Sequence, residues 1–179
     1  MINQHYIKDY ETMNRDIISR IKTYRDVKVL GYSSKKFDIW NDFKDMQCIG
    51  RLRNLFIESA LEYIDRPDVD YILMRGWIHI DWVDRTGNHS HRIWHDHIDN
   101  WSVGGGEGLT CVYYVDTSYE INGEAVLQYE HKTRGLKNIK SKSGQMVIFS
   151  NHISHSAKAT KSSEKNPRYS ISTNIRYIL

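Results

Sequence analysis

Apolar residues change their spacing near Pro67, and the change divides the chain into a helical front and a strand-rich rear. From Tyr10 they fall at Tyr10, Met13, Ile17, Ile21 and Tyr24, steps of three and four that place one stripe on a single helix face. After the turn-like Gly31-Tyr32-Ser33-Ser34, Phe37, Trp40 and Phe43 predict a short helix. Leu52, Leu55, Phe56, Ala60, Tyr63 and Ile64 predict a longer one, which Pro67 stops in the turn Asp65-Arg66-Pro67-Asp68.

Beyond Pro67 the period falls to two, and β-branched and aromatic residues predominate. Strands are expected over Tyr71 to Asp84, His91 to Asp99, Leu109 to Asp116, Glu124 to Glu130, Gln145 to Ser150, Ser154 to Thr160 and Tyr169 to Ile178. Short strands at this spacing, separated by Gly-, Asn-, Ser- or Lys-rich turns, predict a sandwich or jelly roll. No polar linker separates the two parts, so residues 1–179 are expected to form a single domain: 1–67 a helical support, 68–179 a mainly β core.

Composition narrows the chemistry. No run approaches the length of a membrane-spanning helix, and the polar start MINQHYIKDYE lacks the apolar core of a signal peptide, so no membrane partner and a cytoplasmic setting are expected. Cys48 and Cys111 are the only cysteines, which excludes a disulfide framework and a four-cysteine zinc site. A metal would therefore rest on histidine and carboxylate. Nine histidines are present, and His79, His89, His91, His95 and His97 crowd one neighbourhood with Trp77, Trp82, Trp94 and Trp101. Charge is uneven as well: between His131 and Arg168, nine basic residues face Glu164 alone. Such a stretch could attract an anionic substrate or nucleic acid, but solvated loop lysines give the same pattern and are the commoner cause of it.

A His-x-Asp tripeptide in a strand offers an imidazole and a carboxylate from one face, and a distant second histidine completes a facial triad that leaves half of an octahedral ion open. The chain has two such tripeptides, His79-Ile80-Asp81 and His97-Ile98-Asp99. The first sits inside a strand between Trp77 and Trp82. The second ends a strand and runs into Asn100-Trp101 and Gly104-Gly105-Gly106-Glu107-Gly108, a loop that could close over a pocket. It is the better candidate, although in His95-Asp96-His97-Ile98-Asp99 a His95/His97 pair could coordinate instead. The later histidine is His155 at a strand start, or His152 in the preceding turn. On the next strand Arg168 and Ser170 share a face, a guanidinium with an adjacent hydroxyl suited to a carboxylate.

Five pieces in order carry a family resemblance: His97-Ile98-Asp99-Asn100; Cys111-Val112-Tyr113-Tyr114-Val115; Asn122-Gly123-Glu124-Ala125-Val126-Leu127; Gly144 through Ser150 leading to His155; and Arg168-Tyr169-Ser170-Ile171-Ser172. The stretch from Trp77 to Arg176 resembles the Fe(II)- and 2-oxoglutarate-dependent oxygenases, in the prolyl-hydroxylase-like and small phage-type branches. The resemblance implies a double-stranded β-helix (jelly roll). It also implies Fe(II) on His97, Asp99 and His155, with Arg168 and Ser170 on the far carboxylate of 2-oxoglutarate. Two features depart from the family. Pro often follows the Phe149 equivalent, and a glycine pair often stands where this chain has Asn122-Gly123.

The implied activity is hydroxylation of a C–H bond with O2 and decarboxylation of 2-oxoglutarate to succinate. Tyr113, with Tyr114 and Trp94, is expected to wall the co-substrate pocket, against the alternative that each is ordinary core. His89, His91 and His152 are expected at the surface or behind the ligands. A small-molecule or peptide substrate is expected. Nucleic acid is disfavoured, because the superfamily's DNA-repair demethylases carry a second Arg six residues after the first, where this chain has Asn174, with Arg176 two later. The rival readings are a non-oxidative cupin-like metal enzyme and a jelly-roll metal- or ligand-binding module, neither of which needs the Arg168/Ser170 clamp.

Overall fold

The structure, a computed structural model, describes residues 2–23, 38–65, 71–81, 94–97, 108–117, 126–131, 135–158 and 165–178. The order is β1 (Ile2–Tyr6), α1 (Tyr10–Thr23), α2 (Ile39–Asp42), α3 (Gln47–Ile64), β2 (Tyr71–Asp81), β3 (Gly108–Asp116), β4 (Val126–His131), β5 (Gly135–Lys140), β6 (Gln145–Ser150), β7 (His155–Lys158) and β8 (Arg168–Ile178). Five strands form one sheet in the order β1-β6-β3-β8-β2, and three form a second in the order β5-β4-β7. The antiparallel β2/β8 ladder runs from Tyr71 opposite Ile178 to Asp81 opposite Arg168.

The larger sheet is covered on both faces, and strand alternation sorts its residues between them. One face packs on the helices: Met13, Ile17, Phe43, Leu52 and Phe56 meet Ile78, Leu109, Cys111, Tyr113, Ile148 and Ile171. The other face joins the smaller sheet in a second core of Val112, Tyr114, Leu127, Ile139, Val147 and Phe149. The helical layer is tied down by polar contacts as well as apolar area. Asp38 caps α2 by accepting from the Trp40 amide at 3.3 Å, and the same Oδ1 accepts from the Gly76 amide of β2 at 3.1 Å. Buried Asn14 of α1 donates to the Val115 carbonyl and accepts from the Tyr113 hydroxyl at 2.6 Å. At Gly144, φ is +81°, and a Cβ there would overlap the Tyr10 ring, so the turn into β6 demands glycine twice over.

Most expected elements appear within a few residues of their predicted bounds. Two strands, β1 and β5, were not among those expected. Of the strand anticipated over His91 to Asp99, the described part is 94–97, where His95 forms an isolated bridge with His155. Among the described residues no helix is long and apolar enough to cross a membrane.

Candidate metal and co-substrate site

Three histidines converge where the chain before β3 lies against the start of β7. His95 and His155 exchange backbone hydrogen bonds at 3.1 and 2.9 Å, and the His97 amide donates to the Asn151 carbonyl at 3.0 Å. These bonds set the spacing of the imidazoles. His97 and His155 are buried and their rings stack at 5.1 Å, while exposed His95 packs 4.4 Å from the His155 ring. One ligand atom from each of the three lies within 4.8 Å of the others. Phe149 and Trp77 close the cluster, at 4.9 Å from His155 and 5.9 Å from His97.

The donor set suits a divalent metal. The Ile153 carbonyl, 2.9 Å from His155 Nδ1, accepts a hydrogen bond from Nδ1–H and so leaves the Nε2 lone pair facing His97. The two Nε2 atoms stand 3.3 Å apart, close to the roughly 3 Å edge expected for neighbouring ligands at typical metal–nitrogen lengths. Both imidazoles are kept neutral, the form that binds metal. Burial first, and then the neighbouring imidazoles of His155, His95 and His79, lower the His97 pKa to about 3. Burial first lowers that of His155 to about 4, with His95 adding to the effect. The buried His97 Nδ1 has no hydrogen-bond partner among the described residues.

The sign of these shifts gives a measurable consequence. Both folded values lie below the ordinary histidine value of about 6.5, so the unfolded chain binds more protons between about pH 4 and 6.5. Stability of the metal-free protein is therefore full above that range and falls with acidification, by up to about 1.4 kcal/mol per pH unit for each proton taken up. Urea denaturation in a chelator at pH 7.5 and pH 5 tests this, and equal stability at the two values would show that the pair is not held neutral by the fold.

A second polar cluster lies where β2 and β8 of the larger sheet pair. Arg168 opens β8 and Asp81 ends β2, directly opposite in register; Arg168 Nη2 donates to Asp81 Oδ2 at 2.6 Å, with both side chains 1% exposed. Tyr114 and Ser170 pair across β3 and β8, and both are buried. Burial raises the Tyr114 pKa to about 12, with Arg168 pulling it down and Asp81 pushing it up, so the hydroxyl stays a donor. Strand β2 joins the two clusters, for Trp77 and Asp81 share its inward face.

The structure brings His97 to His155, and it places Arg168 and Ser170 together on β8. Asp99 lies outside the described residues, as do His89, His91 and the glycine-rich loop through residue 107. Tyr113 belongs elsewhere: its side chain faces the helices, where its hydroxyl meets Asn14, and its neighbour Tyr114 takes the inward position. The expectation that Tyr113 walls the co-substrate pocket is thereby corrected, because Asn14 holds its hydroxyl on the helix side of the sheet. The other tripeptide is engaged in different contacts, with His79 Nε2 accepting from the Trp77 indole at 2.7 Å and Asp81 bound to Arg168. His152 is exposed in the turn before β7, and Trp94 is 43% exposed beside the histidines.

With this geometry in place, comparisons fix the class. The sequence profile of the 2OG-Fe(II) oxygenase superfamily matches residues 82–176. The chain belongs to that superfamily, and Fe(II), 2-oxoglutarate and O2 are the cofactor and co-substrates that membership implies. Among solved structures, a prolyl-4-hydroxylase from Pseudomonas putida aligns at TM-score 0.66 with 8% identity, over 99% of this chain and 93% of that one. A prolyl hydroxylase from Trichoplax adhaerens, in complex with a hypoxia-inducible-factor oxygen-degradation-domain peptide, aligns at 0.68 with 11% identity, over 99% and 83%. A prolyl 4-hydroxylase from Phytophthora capsici aligns at 0.62 with 11% identity, over 97% and 58%. At such identities the likeness is one of fold, the jelly roll. No curated protein matches the sequence.

Proposed function

We propose that this chain hydroxylates an aliphatic carbon of a peptide or small-molecule substrate, with His97, Asp99 and His155 holding Fe(II) and Arg168, Ser170 and Tyr114 receiving the distal carboxylate of 2-oxoglutarate. The observation that carries the reading is a pair of neutral, converging imidazoles, one from β7 and one from the segment before β3, together with a buried guanidinium on β8. Iron, when bound, supplies the activation of O2 that couples decarboxylation of 2-oxoglutarate to hydroxylation. The chain's own residues do the rest. The Ile153 carbonyl orients His155, Phe149 and Trp77 shield the ligands from water, and Ser170 and the protonated Tyr114 can donate to a carboxylate. Lys137 supports an anionic substrate, because it pairs with Tyr129, which pairs with His155, so all three share one face of the smaller sheet.

Anaerobic addition of Fe(II) and 2-oxoglutarate tests the assignment through the weak visible absorption of an Fe(II)–2-oxo acid complex. Wild type is expected to develop it. Asp99→Ala is expected to lose most of its Fe(II) affinity, and His95→Ala to retain it. Retention in Asp99→Ala with loss in His95→Ala would make the site a three-histidine one. Metal binding without the absorption in wild type would favour a non-oxidative metal enzyme.

A further inference from the structure

The residue facing Arg168 is a carboxylate of the protein itself. Asp81 and Arg168 are opposed across β2 and β8, both almost fully buried, and their 2.6 Å contact is a charge-assisted hydrogen bond made through one nitrogen of a five-donor fork. Where the family's co-substrate needs a cation, this chain already supplies the countercharge. We propose that Asp81 is a positioning residue that stands in for the distal carboxylate of 2-oxoglutarate on Arg168, holding the guanidinium in place before 2-oxoglutarate binds and setting how tightly it binds. This rests on the reading that Arg168 receives that carboxylate.

The reasoning is electrostatic. A lone buried guanidinium would gain its only countercharge from 2-oxoglutarate and would bind it strongly. With Asp81 present the pair is neutral, and an arriving carboxylate meets a like charge across the same guanidinium in a poorly solvated place. Asp81 thus stabilises the empty protein and weakens the bound state. A residue that merely braced Arg168 would act in the opposite direction, and its loss would loosen the clamp and weaken the co-substrate.

The experiment compares wild type and Asp81→Asn, loaded anaerobically with Fe(II), by calorimetric titration with 2-oxoglutarate and by thermal unfolding with and without it. The amide keeps the shape and removes the charge. Asp81→Asn is expected to unfold at a lower temperature when empty and yet to bind 2-oxoglutarate about tenfold more tightly, a gain of about 1.4 kcal/mol. Equal or weaker binding in the variant overturns the proposal. Should the variant not fold, wild type itself decides: its preference for 2-oxoglutarate over 2-oxopentanoate, which lacks the distal carboxylate, is expected to be about tenfold, because the guanidinium is already compensated. A preference in the hundreds overturns the proposal. Failure of wild type to bind 2-oxoglutarate at all would instead overturn the functional reading beneath it.

Discussion

Arg168→Ala is expected to lose roughly 3 to 5 kcal/mol of folding stability, because breaking a buried ion pair strands the surviving charge. Here the stranded group is Asp81, 1% exposed, with the Arg168 guanidinium removed from the oxygen it holds at 2.6 Å. The loss makes the single variant a poor probe of co-substrate binding, since weak binding and partial unfolding would look alike. The double variant Asp81→Leu, Arg168→Met removes both charges and fills similar volume, so it is expected to recover most of the stability. It should keep its Fe(II) affinity and lose 2-oxoglutarate, because the clamp touches only the co-substrate. Denaturant titration of the three proteins measures the first claim, and metal and co-substrate titrations of the double variant the second. Wild-type stability in Arg168→Ala would mean that the pair contributes nothing to the fold.

His155→Ala should have the contrary profile, with a modest effect on the metal-free protein and a severe one on the metal. The side chain is buried against Phe149, so truncation leaves a small cavity, but it also removes an imidazole that acid would otherwise charge inside the protein. Its Nε2, aimed at His97 by the Ile153 carbonyl, is the atom lost to the metal. At Fe(II) one hundred times its dissociation constant, wild type gains about 2.7 kcal/mol of stability, and the variant is expected to gain almost none. Exposed His152 serves as the control, and His152→Ala should respond to metal as wild type does. Metal stabilisation that survives in His155→Ala would remove this residue from the ligand set.

The sequence made these sites legible to different degrees, for identifiable reasons. Helices α1 and α3 bury one stripe each, so the period of their apolar residues showed them directly. Strands β1 and β5 bury little: INQHY and GLKNIK are edge strands in which Ile139 alone is buried, and neither sequence has the alternation of a half-buried strand. Tyr113 and Tyr114 could not be told apart for another reason. All but the last residue of β3 is buried, apolar on both faces, so its sequence fixes the strand and leaves its phase open. Only the cross-strand partners, Ile171 for Tyr113 and Ser170 for Tyr114, separate the two. The approach of His97 to His155 was foreshadowed by the spacing of motifs, whereas the pairing of Asp81 with Arg168 spans 87 positions and depends on the register of β2 against β8.

That register also bears on directed evolution. The five-stranded sheet has the helical core on one side and, on the other, the second core together with the residues proposed to receive the co-substrate, and its strands alternate between the two sides at every residue. A library that varies Trp77, Tyr114 and Ser172 would search new substrates and co-substrates while leaving Ile78, Cys111, Tyr113 and Ile171 to hold the scaffold. A library built on contiguous segments would vary the scaffold positions along with the others.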